Sequence, residues 1–427
     1  MEAVFRKTGA LTGEISVPGD KSISHRAAIV GALARGTTNI SGFSTGADCA
    51  STLEVLRVLG APITDDGDTV TIEGTGGRGF EQPSVRLECG NSGTTMRLMA
   101  GAVAPYPIEA VLTGDESLLA RPMGRIIEPL TLMGACLEAG DDRGHPPLRI
   151  RGGGLRGINY SVPVASAQVK SAILLAGLGA KEFTTVNEPA VTRDHTERML
   201  RASGIDVRGD GLSVTVAPGV PGALDFAVPG DFSSAAFFIA AALMCPGSRV
   251  VVKSVGLNPT RTAFLQLARR MGAMIEEMPV GDGWEPVGDI KVEYGSLRAI
   301  EVLPTDVAGA IDEVTLVALL ATAASGTTVI SGAGELRHKE FDRIKGAVDG
   351  LRAMGAHIEE TGDGMVIEGP SYLVGTRVSS SGDHRLGMML AVAGLAASGE
   401  TTVDGWEWTR ISYPGFAHDL ETLKRGE

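Results

Sequence analysis

One short signature closes a helix-like stretch again and again along this chain. It reads LRVLGA (Leu56–Ala61), LTLMGA (Leu130–Ala135), LRASGI (Leu200–Ile205), ARRMGA (Ala268–Ala273) and LRAMGA (Leu351–Ala356), with a degenerate LKRG ending at Gly426. The signature glycines recur at intervals of roughly 70 residues, a period that marks an internally repeated architecture. Each repeat keeps the same order of parts. An apolar, Ala-rich stretch of helical length comes first: Ser22–Ala34, Gly93–Ala104, Ala167–Leu178, Ser233–Met244, Asp312–Ala324 and His384–Ala397. A β-branched strand follows, such as TTNIS, RVVVKS, TTVIS or TTVDG. An amphipathic second helix then ends at the signature glycine, and one or two strands complete the unit.

The pattern is a β-α-β-α-β-β unit repeated six times. Apolar residues all round the first helices predict that these are buried, with the second helices half exposed. Three units per domain give two α/β domains of ordinary size. The turn-rich PGVPGALDFAVPG (Pro218–Gly230) marks the boundary, so the sequence predicts a first domain over 20–224 and a second over 1–19 and 225–427. The N-terminal segment MEAVFRKTGALTGEISV reads as a hairpin.

Composition narrows the function. Of 427 residues, 43% are hydrophobic and 58 are glycine, with no collagen-like period, which fits a soluble globular protein rich in turns. A net charge of −13 argues against nonspecific nucleic-acid binding. Cys49, Cys89, Cys136 and Cys245 are scattered and form neither a zinc pattern nor a disulfide framework. The longest apolar runs are too short to span a bilayer, and no signal-peptide core is present, so a cytoplasmic location is expected. P-loop, dinucleotide-binding, H-E-x-x-H and G-x-S-x-G motifs are absent.

Polar residues gather where the apolar helices begin: Lys21, Ser22 and Arg26; Asn91, Ser92 and Arg97; Ser166, Gln168 and Lys170; Asp231 and Ser233; Asp312 and Glu313; Asp383, His384 and Arg385. Capping accounts for Ser, Asn and Asp. It does not account for cations, which oppose the helix dipole there and instead indicate a bound anion. Arg121-Pro122-Met123 places a proline at a helix start, Arg193 precedes a second helix, and Glu335–Arg343 is dense in charge. The residues themselves thus predict a two-domain, pseudo-sixfold protein that binds small polyanions in a cleft.

At these positions the sequence resembles the enolpyruvyl transferases, in particular the 5-enolpyruvylshikimate-3-phosphate synthase family and its class II-like bacterial subgroup. The matching segments are VPGDKSISHRA (Val17–Ala27), GNSGTTMR (Gly90–Arg97), RPMGR (Arg121–Arg125), SAQVKSA (Ser166–Ala172), TRDHTE (Thr192–Glu197), LRHKEFDR (Leu336–Arg343) and DHR (Asp383–Arg385). They keep the family's order over nearly the whole chain. The resemblance implies a two-domain inside-out α/β barrel of six such units with buried helices and an active site in the interdomain cleft. It implies transfer of the enolpyruvyl group of phosphoenolpyruvate to the 5-hydroxyl of shikimate 3-phosphate, in the shikimate pathway of aromatic amino acid biosynthesis, by a monomer without metal or cofactor.

By resemblance, Ser22, Arg26, Ser166, Ala167, Gln168, Arg193, Asp312 and Lys339, with Lys21, hold shikimate 3-phosphate. Lys21, Gly93, Arg121, Gln168, Arg343 and Arg385 surround phosphoenolpyruvate, and Asn91 is a further contact. Asp312 takes the hydroxyl proton, while Glu340 and Lys21 handle protonation of the methylene and the leaving phosphate. Two departures stand out: Ala167 replaces the second serine of the family's S-S-Q, and Arg410 stands near the place of a C-terminal lysine. The family's inhibitor glyphosate occupies the phosphoenolpyruvate site and reaches slightly further, toward Gly93. The alternatives are a UDP-N-acetylglucosamine enolpyruvyl transferase, which typically has cysteine where Glu116 stands, an RNA 3′-phosphate cyclase-like protein, and a non-catalytic anion-binding homologue.

Overall fold

A computed structural model describes residues 1–425 and, within them, all side chains except those of Asp210 and Arg425. The sixth signature glycine, Gly426, lies outside the described residues. Twelve main helices alternate along the chain as α1 (Lys21–Leu33), α2 (Ala47–Val58), α3 (Gly93–Val103), α4 (Gly124–Met133), α5 (Ala167–Gly177) and α6 (His195–Ala202), then α7 (Phe232–Met244), α8 (Ala263–Arg270), α9 (Val314–Ala323), α10 (Arg343–Ala353), α11 (His384–Ala396) and α12 (Phe416–Arg425). Odd-numbered helices are the apolar ones and even-numbered helices the amphipathic ones. No helix among the described residues is long and apolar enough to cross a membrane.

The signature is a helix stop. In each of the five described copies the glycine has positive φ, from 83° at Gly204 to 114° at Gly134. The next residue's N–H reaches back to the carbonyl of the first signature residue: Ala61 to Leu56, Ala135 to Leu130, Ile205 to Leu200, Ala273 to Ala268 and Ala356 to Leu351. This is the Schellman geometry, which only glycine adopts without a Cβ penalty.

The chain divides into two compact units, Gly19–Val228 and Met1–Pro18 with Pro229–Glu427. Gly19–Val228 carries three four-stranded sheets. Each pairs an entering strand in parallel with the strand after the buried helix and adds two antiparallel strands. The first sheet is Phe226–Ala227, Thr37–Ser41, Thr69–Glu73 and Ile63–Asp65. Its entering strand comes from the far end of the unit, so Phe226 and Ala227 belong here and not to the following domain where the sequence places them.

The other unit repeats the plan, with Thr12–Ser16 entering beside Arg249–Gly256 and Glu301–Val302 beside Gly326–Ile330. In its last sheet, Arg377–Ser379 enters beside Glu400–Asp404, and Glu2–Arg6 pairs antiparallel on the other side. The expected N-terminal hairpin is therefore not formed. Its two strands, Glu2–Arg6 and Thr12–Ser16, join different sheets, because each fills a vacancy left by the circular order of the repeats.

Small residues let the buried helices approach closely. A Cβ added at Gly101 of α3 would lie 2.1 Å from the carbonyl oxygen of Ala172 on α5. Every residue of α7 is buried, and Phe237 and Phe238 meet Phe416 of α12 and Tyr413 before it.

Candidate active site

In Gly19–Val228 the buried helices begin with side-chain caps. Asp20 accepts from Ile23 N–H, Ser92 from Thr95 N–H and Ser166 from Val169 N–H. Just inside the cap of α1, Lys21 Nζ lies 2.7 Å from Asp48 Oδ2 of α2. Arg26, one turn further on and 3% exposed, donates Nε to Thr196 Oγ1 (2.7 Å), Nη2 to Ser171 Oγ (2.9 Å) and Nη1 to the Ser22 carbonyl. Arg193 reaches Ser22 Oγ at 3.4 Å. Ser22, Arg26 and Arg193 are thus drawn together from α1 and the lead-in to α6.

A second group forms at the start of α3. Arg97 Nη1 donates to Gln168 Oε1 (2.8 Å), whose amide donates to Thr94 Oγ1 (2.9 Å). Arg121 Nη2 donates to Asn91 Oδ1 (2.8 Å), and Asn91 Nδ2 donates to Asp115 Oδ2. A Cβ built on Gly93 would fall 2.8 Å from Arg97 Nη1 and 3.5 Å from Arg121 Nη1. The glycine thus keeps the space beside two guanidinium groups open, an arrangement suited to an anion at a helix N-terminus. Pro122 does not hold Arg121 as a first helical residue, because α4 begins only at Gly124 with Met123 as its cap. Arg121 follows the one-turn helix Glu116–Leu119 and is oriented by Asn91 and Ser117.

Lys170 has a different place from the one its position in the sequence suggests. It is 1% exposed on α5, its Nζ 2.6 Å from Glu188 and 2.8 Å from Glu197. Burial alone would lower its pKa, but the two carboxylates outweigh this and raise it, while burial raises that of Glu197. This is an internal ion cluster rather than an anion contact.

In the unit containing Pro229–Glu427, α9 starts at Val314, two residues later than the sequence predicts, so Asp312 and Glu313 sit in the preceding turn. Asp312 gathers three cations: Arg343 Nη1 at 3.2 Å, with Lys339 Nζ and Arg385 Nη2 each at 3.8 Å. Arg343, at the start of α10, is buried and fans across three carboxylates, adding Glu340 Oε2 at 2.6 Å and Asp383 Oδ2 at 2.7 Å. Burial would lower the Arg343 pKa, yet Asp383, Glu340 and Asp312 more than offset it. Asp383 also caps α11 by accepting from Arg385 and Leu386 N–H.

Beneath this group lies a residue without a role in the sequence reading. Buried Arg261 forks onto Glu313 at 2.8 and 3.1 Å, also meets Ser233 Oγ, and is raised in pKa because Glu313 outweighs the effect of burial. A signal for it existed: Arg261 stands two residues before α8, as Arg193 stands two before α6. Asp48, Thr196 and Ser171 were likewise missed, since their importance lies in which cation they hold. Arg410 is exposed in the 3-10 turn Trp406–Ile411.

Comparison with known proteins identifies the family. The model of the EPSP synthase (3-phosphoshikimate 1-carboxyvinyltransferase) family matches residues 5–420. The 3-phosphoshikimate 1-carboxyvinyltransferase of Geobacillus kaustophilus is 51% identical over 418 residues, covering 97% of this chain and 98% of the relative. That of Brevibacillus brevis is 50% identical over 415 residues, or 96% of each chain. Among solved structures, EPSP synthase from Acinetobacter baumannii superposes with a TM-score of 0.89 at 42% identity, covering 99% of this chain and 98% of the other. The enolpyruvyl transferase NikO of Streptomyces tendae, at 18% identity and a TM-score of 0.77 over 98% of this chain and 96% of its own, shares the fold. A repeated α/β fold, cations grouped at buried helix starts and near-full-length identity of about one half all converge, and the chain belongs to the EPSP synthase family.

Proposed function

We propose that the protein transfers the enolpyruvyl group of phosphoenolpyruvate to the 5-hydroxyl of shikimate 3-phosphate and releases inorganic phosphate. The reaction runs by addition and elimination. The 5-oxygen bonds to C2 of phosphoenolpyruvate as C3 takes a proton, giving a tetrahedral adduct. C3 then returns a proton as the C2–O bond to phosphate breaks. The observation that carries this reading is the buried Arg343, which binds Asp312 and Glu340 through two nitrogens of one guanidinium. Two carboxylates on one fixed cation can divide the work of base and acid.

In this reading Asp312 accepts the hydroxyl proton. Glu340, 24% exposed and so in exchange with solvent, protonates C3 once bound anions raise its proton affinity. Lys21, Ser22, Arg26, Ser166, Ala167, Gln168, Arg193, Asp312 and Lys339 bind shikimate 3-phosphate. Lys21, Gly93, Arg121, Gln168, Arg343 and Arg385 bind phosphoenolpyruvate, with Asn91 orienting Arg121. The cations balance substrate charge and meet the charge that develops as phosphate leaves. The same reading makes it a cytoplasmic enzyme active as a monomer.

The test is phosphate release from phosphoenolpyruvate with either shikimate 3-phosphate or UDP-N-acetylglucosamine as acceptor. Release with the first alone is expected. Release with the second alone, or with neither, overturns the proposal.

A further inference from the structure

Between α1, α2 and α3 runs a line of polar side chains that the proposed chemistry does not use. His25 Nδ1 lies 2.7 Å from Thr52 Oγ1, which lies 2.7 Å from Thr95 Oγ1, which lies 2.8 Å from Ser92 Oγ. All four residues are 0% exposed. Buried polar groups are costly unless paired, and these contacts hold the four residues in fixed relative places, with His25 Nε2 the one buried atom of the line that has no hydrogen-bond partner. Two of its members, Ser92 and Thr95, touch the candidate site. Ser92 caps α3 immediately before Gly93, and Thr95 also meets the carbonyl of Asp48, whose carboxylate holds Lys21.

The line therefore fixes three helix starts against one another: α1 with Lys21, α2 with Asp48 and α3 with Gly93. A hydrocarbon contact would slide by a few tenths of an ångström at little cost, whereas a hydrogen bond weakens steeply once its angle is lost. We propose that His25, Thr52, Thr95 and Ser92 are positioning residues that set the spacing of Lys21 and Gly93 for the phosphoenolpyruvate end of the site. The proposal rests on the assignment of that end to these two residues. The shikimate 3-phosphate end shares α1 and Lys21 but has a further hold of its own, Arg26 on Ser171 and Thr196.

Two variants separate positioning from simple support. Thr95→Val keeps the shape and removes the hydroxyl, while Thr95→Ser keeps the hydroxyl. Thr95→Val is expected to raise KM for phosphoenolpyruvate about fivefold or more, the scale of one buried hydrogen bond, and to raise KM for shikimate 3-phosphate by less, because Arg26 keeps its own partners. Thr95→Ser restores the wild-type value. The thermal shift given by phosphoenolpyruvate in wild type and in Thr95→Val is measured alongside, and the shift in the variant is expected to be smaller. A fall in melting temperature with both KM values and the ligand shift unchanged overturns the proposal. So does the absence of any shift in wild type. If wild type binds phosphoenolpyruvate but does not use shikimate 3-phosphate, the functional reading fails and the thermal shifts still decide the positioning role.

Discussion

The arginines of the candidate site have different partners in the two units. In Gly19–Val228, Arg26, Arg97 and Arg121 donate to hydroxyls, amide oxygens and a backbone carbonyl. In the unit containing Pro229–Glu427, Arg261 and Arg343 are bound to carboxylates, with Arg385 close to two of the same ones, Asp312 and Glu313. Neutral partners orient a guanidinium without tying its place to any proton. Carboxylate partners hold it more strongly and couple it to groups that can exchange protons. In the proposed reading the first unit grips anions and the second moves protons.

Four tests would break or sharpen this contrast. The largest effect is expected from Lys170→Met, because this carboxylate-held cation of Gly19–Val228 is only 1% exposed. Removing it leaves Glu188 and Glu197 facing each other, at a cost of about 3–5 kcal/mol in denaturation measurements. Turnover by the folded fraction should change little. A large loss of kcat with stability intact would place proton chemistry in the wrong unit.

Asp312→Asn and Glu340→Gln come next. Each should lower kcat by ~10²-fold or more, the usual scale for a general acid or base, with smaller changes in KM. Near-normal turnover in either variant removes that residue from the proton path.

The third concerns His25, which is buried and whose pKa is lowered to about 3 by burial first; Lys21 and Arg26 lower it further and Asp48 opposes them. Unfolded, the imidazole titrates near its ordinary value of about 6.5. Between those values the unfolded chain binds a proton that the folded one excludes, so this contribution is full above about 6.5 and is lost as pH falls toward 3. At pH 5 the loss is about 2 kcal/mol relative to pH 7.5. Hydrogen exchange of α1 amides should show the advantage of wild type over His25→Gln shrinking by that amount, and a constant difference would mean that the ring is not held neutral.

The smallest effect is expected from Gly93→Ala. The added methyl would press on the mobile end of Arg97, which can shift, so stability should change by less than about 1 kcal/mol. Glyphosate should inhibit wild type, and its inhibition constant should rise about tenfold relative to KM for phosphoenolpyruvate in the variant. An unchanged ratio would mean that Gly93 serves packing alone.

Much of this was legible in the sequence because it is local. A helix that ends in Schellman geometry needs glycine at one place, and five such glycines expose the repeat. Caps and cations at helix starts are read in the same way. What stayed hidden is non-local. Whether Glu2–Arg6 and Thr12–Ser16 pair with each other or with strands hundreds of residues away depends on which sheets lack a neighbour. Thr52 and Thr95 look like ordinary helical residues until α2 and α3 are side by side. Lys170 sits among site residues in SAQVKSA, but the helix turns its side chain into the interior.

The claim that protons pass to and from C3 of phosphoenolpyruvate has a direct test. Turnover of phosphoenolpyruvate and shikimate 3-phosphate in heavy water, with the product read by mass spectrometry, shows whether solvent hydrogen enters the vinyl group. Addition and elimination predict a deuterium-bearing vinyl group, formed more slowly by Glu340→Gln. Product that carries no deuterium at the vinyl carbon would contradict it.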